Sequence, residues 1–531
     1  MKTLKSIFII TLLAGILFSA CDVDYFDNPN APTVPPTSAI LNSALYQQVY
    51  DTRDEWFAGR FTTVTMQYFQ QSEYGDEDRY GYRESIRQTW TDLYLNCENL
   101  RKVIEFNTSE ETKTAAAAYG ANENQIALAR VLLAWSFNIM TDTWGDIPYY
   151  SYGSDNPDFQ ALQLADVDPA DEILEPAYAA QEDIYADILN ELDEAEAQFD
   201  PTKPAMEGDN IYNGDIEKWR KFANSLRLRI ALKIRGVNQS LADQHIADAQ
   251  TGVGVFTSND DNAIYAFEAS DKNAAPFYRA YNVDNRSDFA AGLSFVELLK
   301  GNNLTDHDGT DITTNPFAGI SDPRLPIFVQ PNSDGNYVGM FIAENSSEAA
   351  VLKKESLPGD MLINKPDYGE PLMEYAEVAF ILSELNGWDQ TEYENGVRAS
   401  MQRWGVAQAD IDAYVAALPA AGEETVLTQK YIALYMQPHT AWAEYRRTGY
   451  PKTLIMPNDD YTLFVPNYND KGTDTTYNYT FNPIPDVTDL PYRMRYPQYE
   501  RTLNGENRSA AVAKLNNGDA VVSKLWWDVV D

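Results

Sequence analysis

The chain has 531 residues, with 80 Asp and Glu against 40 Lys and Arg and a formal charge of −40 at pH 7. Such a surface repels polyanions, so nucleic acid is excluded as a partner, because its binding depends on basic patches that release counterions. Sulfated or uronate-rich glycans are disfavoured too, unless a bound cation or a local Arg cluster intervenes. The acidity equally suits a salty medium. The aromatic complement, 34 Tyr, 22 Phe and 10 Trp, is more informative. A flat ring covers the apolar C–H face of a sugar while a Tyr O–H or Trp N–H meets its polar edge, although most of these rings must be core.

In chain order, Lys2 and Lys5 open a basic start, Ile7 to Phe18 form an apolar stretch too short to span a bilayer, and Phe18-Ser19-Ala20 precede Cys21. This pattern predicts a secretory signal over residues 1–20 rather than a transmembrane helix. Cys21 stands where a lipobox places its acylated cysteine, with Phe18 where Leu is more usual, and acyl chains on that residue hold a protein to a membrane. Residues 21–36, with Asp22, Asp24, Asp27, Asn28, Pro29, Asn30, Pro32, Pro35 and Pro36, bury no apolar surface and read as a tether. Nothing later reaches the roughly 18 apolar residues of a span. The mature chain is therefore expected to be anchored. The other cysteine, Cys97, sits among Leu93, Tyr94 and Leu100 and reads as a small buried hydrophobe, with no disulfide.

Helical periodicity then dominates. Ile126, Val131, Leu132, Phe137 and Met140 mark a helix from Asn124 to Asp142; Ile184, Ile188, Leu192 and Ala195 mark another from Glu182 to Phe199. Asp215 is placed to cap a helix through Trp219, Phe222, Leu226 and Ile230. Pro371 suits the first turn of a helix running through Tyr375, Val378 and Leu382 and stopped at Asn386-Gly387. Further helices are predicted over Thr391 to Trp404, Asp410 to Leu418, and Thr425 to Arg447. Such pairs joined by short turns suggest a mainly α scaffold of stacked, tetratricopeptide-like helices, although no clean repeat of about 34 residues is present. Residues 252–365 and 451–501, rich in Asn, Asp, Gly and Pro, read as loop-rich insertions within a single domain spanning 37–531. Long loops are uncommon unless they serve a function, so recognition surfaces are expected there.

Enzymatic chemistry finds little support. His245, His307 and His439 lack metal-ligand spacing, and no nucleophile elbow accompanies any of them. The stretch Thr305 to Asp311 fails the EF-hand spacing and reads as an acidic turn. No cofactor or metal is expected. With 80 acids a two-carboxylate glycoside hydrolase is not refuted by sequence, and an envelope scaffold without ligand is a further alternative.

Several segments belong together: Ala127 to Phe137 leading into Thr141 to Tyr149, Ile184 to Leu189, Lys218 to Arg229, Ser321 to Leu325, Gln429 to Leu434, Trp442 to Pro451, and Lys524 to Asp528. In this order they resemble the SusD/RagB family, particularly its second SusD-like branch. The resemblance implies a tetratricopeptide-like scaffold with a loop-rich binding face. It also implies a lipoprotein of the outer membrane whose acidic residues after Cys21 direct it to the cell exterior. Such proteins act as a lid on a SusC-type TonB-dependent transporter, capturing oligosaccharide, or in some members peptide, without turnover. The motifs themselves read as fold-holding. In starch-binding relatives, contacts come partly from the region after the first long helix, here Gln71 to Asn99, with Tyr74, Tyr82, Arg83, Trp90 and Asn96 as candidates. The middle insertion adds Tyr278, Tyr281 and Arg286, beside Phe277, Asn282 and Asp284. Neutral glucans, mannan and oligopeptide all fit such loops.

Overall fold

In a computed structural model, which describes residues 35–163, 173–350, 352 and 354–529, successive helices pack on one another in chain order. Helix α1 (Thr37–Arg53) lies against α2 (Thr89–Thr108), and α2 against α3 (Asn122–Trp144). The series continues through α4 (Gln181–Gln198), α5 (Ile216–Ile234) and α6 (Gln239–Ala249). The middle region carries α7 (Leu293–Lys300). A second run follows, with α8 (Tyr375–Leu385) against α9 (Gln390–Arg403), α9 against α10 (Gln408–Ala417), and α11 (Glu423–Ala433) against α8. Contacts between α5 and α8 join the two runs, and α12 (Pro438–Thr448) packs on a π-helical segment, Glu55–Thr63. The fold is a mainly α, helical-pair scaffold. The predicted signal, Cys21 and the tether up to residue 34 lie outside the described residues.

Sequence chemistry explains the helix boundaries. The Asp215 carboxylate accepts the Lys218 N–H at 3.2 Å and Asp389 accepts that of Glu392 at 2.9 Å, each satisfying a donor that the first turn leaves free. Gly449, in the left-handed region, ends α12. Helix α3 has neighbours on several sides and is buried almost throughout, which is why its sequence is apolar beyond a single stripe.

Two boundaries differ from the periodic expectation. Pro371 does not open a helix: it lies in strand β4 (Gly369–Met373), opposite Ile264 of β2 (Ala263–Ala266), where the register shifts. Its missing N–H is tolerated at such an irregular site, and its carbonyl accepts from Arg53 at 3.1 Å. The stretch predicted as one helix from Thr425 to Arg447 is two, because Pro438, at the start of α12, cannot continue the hydrogen bonding of α11.

Many residues of the sequence motifs are buried polar joints. Arg229 of α5 pairs with Glu377 of α8 at 2.5 Å, Arg324 pairs with Asp322 at 2.6 Å and reaches Gln429 at 2.7 Å, and Lys430 pairs with Glu444 at 2.6 Å. Arg446 donates to the carbonyls of Asp142 and Tyr492 at 2.9 and 2.8 Å, stacked 3.4 Å from the Trp442 ring centre. Cys97 is fully buried, and burial pushes its thiol up.

The small strands position the loops. Strand β1 (Phe69–Gln71) pairs antiparallel with β3 (Phe289–Ala291), Gln71 opposite Phe289. A hairpin of β5 (Asp460–Val465) and β6 (Thr475–Thr480) carries a second core, in which Tyr461, Leu463 and Val465 meet Leu304, Met340 and Phe341. Among the described residues no helix is long and apolar enough to cross a membrane.

Candidate functional site

The β1–β3 pairing brings the two candidate regions to one end of the same ladder. The Ser72 N–H donates to the Asp288 carbonyl at 2.8 Å, so the loop leaving β1 and the loop entering β3 run side by side. Tyr74 on the first loop is 38% exposed. Arg83 lies over its ring at 5.1 Å and Arg286, from the second loop, at 6.0 Å. Of the eight binding candidates read from sequence, these three converge.

Each guanidinium is held by a carboxylate. Arg83 pairs with buried Glu77 at 2.5 Å, and Arg286 pairs with Asp288 at 2.8 Å, a contact that raises its pKa. Asp288 also pairs with buried Arg60, which meets the Glu55 carboxylate at 3.9 Å and lies 4.5 Å from the Trp56 ring centre. Burial lowers the Arg60 pKa and raises that of its neighbour Glu55. The charges cancel locally, yet donors remain: Nη1 of Arg83 and Nη1 of Arg286 make no hydrogen bond to any described residue. An accessible ring beside guanidinium N–H groups, in a neutralised setting, suits a ligand with apolar faces and hydroxyl or carbonyl acceptors.

The loop is held closely. The Gly81 N–H donates to the Asp76 carbonyl at 2.7 Å, and Arg79 reaches the Asn482 carbonyl at 2.6 Å. Gly75 is required by close approach, since a Cβ there would stand 2.3 Å from the Ala343 carbonyl oxygen.

The other candidates are engaged elsewhere. Trp90 and Asn96 are each 4% exposed; the indole packs edge-on to Trp144 at 5.0 Å, and the amide donates to Asp51 at 3.0 Å. Tyr82 shares a hydrogen bond of 2.6 Å with Thr65, and the Tyr281 hydroxyl donates to the Phe289 carbonyl. Tyr278 is half-buried on the short helix Pro276–Tyr278. Trp56, Arg60, Glu77 and Asp288 were not singled out from sequence. The Trp56–Arg60 spacing of one helical turn and the nearness of Asp288 to Arg286 were the available signals.

Comparison with known proteins agrees with this architecture. Residues 29–466 match the SusD-like family described as starch-binding and associating with the outer membrane, and residues 421–528 match the SusD and RagB outer-membrane lipoprotein family. No curated protein matches the sequence. Among solved structures, the chain is similar to a chitin-binding SusD homologue from Flavobacterium johnsoniae, at 21% identity and TM-score 0.69, over 93% of this chain and 99% of that one. It is similar to a SusD homologue from Parabacteroides distasonis at 22% identity and TM-score 0.70, over 93% and 98%. A further similar structure, described as a chitin-binding protein, shares 23% identity at TM-score 0.68, over 93% and 100%. With a family match running through most of its length, the chain belongs to the SusD-like family of outer-membrane nutrient-binding proteins.

Proposed function

We propose that this protein captures a neutral oligosaccharide at the Tyr74–Arg83–Arg286 cluster, on the outer face of the outer membrane, and delivers it without turnover to a SusC-type TonB-dependent transporter. In this reading a lipid on Cys21 and the tether over residues 21–36 hold the helical body at the membrane. The observation that carries it is the exposed Tyr74 ring beside two guanidiniums whose charge is cancelled by Glu77 and Asp288 but whose Nη1 donors are open. A neutral sugar gains stacking and hydrogen bonds there, while a polyanion meets a strongly acidic chain. Chitin oligosaccharides are the first ligand to test: two structurally similar proteins are described as chitin-binding, and the amide carbonyl of an N-acetyl sugar accepts from a guanidinium.

The test is isothermal titration calorimetry of residues 22–531 against chitin, starch, β-glucan and mannan oligosaccharides and a mixed peptide panel. Saturable binding of one glycan with no product release is expected, and Tyr74→Ala weakens it about tenfold. Saturation by peptides alone would redirect the site to oligopeptides, and released sugar products would make it an enzyme.

A further inference from the structure

We infer that the chain carries a second glycan-binding cleft, between the β5–β6 hairpin and α7, which takes a neutral stretch of the same polymer. This inference rests on the glycan reading above. The cleft is about 520 Å³, within the usual range for ligand sites, and open to solvent. Strand alternation sets its platform: Tyr461, Leu463 and Val465 turn into the second core, so Phe464 turns outward. Of the described aromatic rings Phe464 is the most exposed, at 56%, and it lines this cleft. Stacking on another ring of the protein does not explain it, because opposite Phe464 in the ladder stands Thr476.

The facing wall is polar and uncommitted. Asn336 and Tyr337 line the cleft, and the Asn336 side-chain amide and the Tyr337 hydroxyl make no hydrogen bond to any described residue. The Asn302 side-chain N–H donates to Glu297 at 2.7 Å, and its side-chain oxygen accepts from no described residue. The charges in the wall, Lys300 and Glu297, neutralise each other at 2.7 Å. An anion would have to break that pair, and an apolar ligand would bury amides without partners, which is costly. A sugar residue satisfies both walls: its C–H face covers Phe464 while its hydroxyls meet Asn302, Asn336 and Tyr337.

The second core joins the two sites. It contains Tyr80 of the loop carrying Tyr74 as well as Leu293 and Leu304 beside the cleft. Two contacts on one polymer multiply retention without new chemistry at either site.

The experiment compares residues 22–531 as wild type, Tyr74→Ala, Phe464→Ala, Phe464→Tyr and Asn336→Ala, by depletion onto particles of chitin, starch, β-glucan and mannan. Calorimetry with a trisaccharide of the retained polymer follows. We expect Phe464→Ala to lower retention on the polymer about tenfold while trisaccharide affinity at Tyr74 is unchanged, with Phe464→Tyr retaining and Asn336→Ala reducing polymer binding. Phe464 is exposed, so its loss leaves the fold intact, as matching melting curves will show. Wild-type retention by Phe464→Ala, or equal losses in Phe464→Ala and Phe464→Tyr, would overturn the cleft and leave the Tyr74 site standing. Failure of the wild type to bind any of the polymers would overturn the glycan reading itself, and the cleft with it.

Discussion

Asp78 is a buried residue of the loop that carries Tyr74 and Arg83, and accepts the Gln71 backbone N–H at 2.8 Å and its side-chain amide at 3.2 Å. Burial raises its pKa to about 7, and the hydrogen bonds from Gln71 only partly oppose the shift. The folded state therefore holds a proton that the unfolded chain, with its carboxyl near about 4, has already released. This contribution to stability is fully present below that unfolded value and is lost as pH rises through about 7. Asp78→Asn keeps an acceptor for the Gln71 N–H but has nothing to titrate. Its melting temperature is expected to gain on the wild type between pH 4 and pH 7, with a constant difference above and below that window. Parallel melting curves across the window would refute the assignment.

At the scale of elements, the joint between the two helical runs is an ion pair. Arg229 of α5 and Glu377 of α8 are both buried and meet in a bidentate contact, Nε to Oε1 at 2.6 Å and Nη2 to Oε2 at 2.5 Å. Removing one partner leaves an uncompensated buried charge, which costs about 3–5 kcal/mol, whereas an apolar pair of similar volume is often neutral. Arg229→Ala is therefore expected to lower stability by that amount in chemical denaturation, and Arg229→Met with Glu377→Leu by much less. Equal losses would show that the pair adds stability beyond mutual neutralisation. Most of these elements were legible in the sequence. Asp215 and the apolar stripes predict helix ends to within a few residues, because capping and periodicity are local. Pro371 was misread because a proline suits both a first helical turn and an irregular strand position, and the choice is made by pairing with Ile264, which is distant in sequence. Pro438 is the complementary case: a break visible in the sequence, overridden by a periodic pattern that continued across it.

For the molecule as a whole, the charge of −40 and the proposed site are expected to act on different ligands. Affinity for a neutral oligosaccharide is expected to be unchanged as salt rises from about 0.05 to 0.5 M, because no net charge is displaced. A uronate-bearing analogue should bind more weakly at low salt and recover as screening increases. A steep salt dependence for the neutral ligand would show that Arg83 or Arg286 leaves its carboxylate on binding. Composition, helical period, caps and the ordered motifs determined by themselves the mainly α scaffold and the family, since burying an amphipathic stripe depends on spacing along the chain. They also marked the two regions that meet at the candidate site. Which candidates in them share a site was decided only by tertiary structure. The β1–β3 ladder joins residues more than 200 positions apart, gathers Tyr74, Arg83 and Arg286, and leaves Trp90 and Asn96 in the core. An aromatic ring has the same sequence signature in a core and on a binding face; only the neighbours that cover it, or leave it bare, tell them apart.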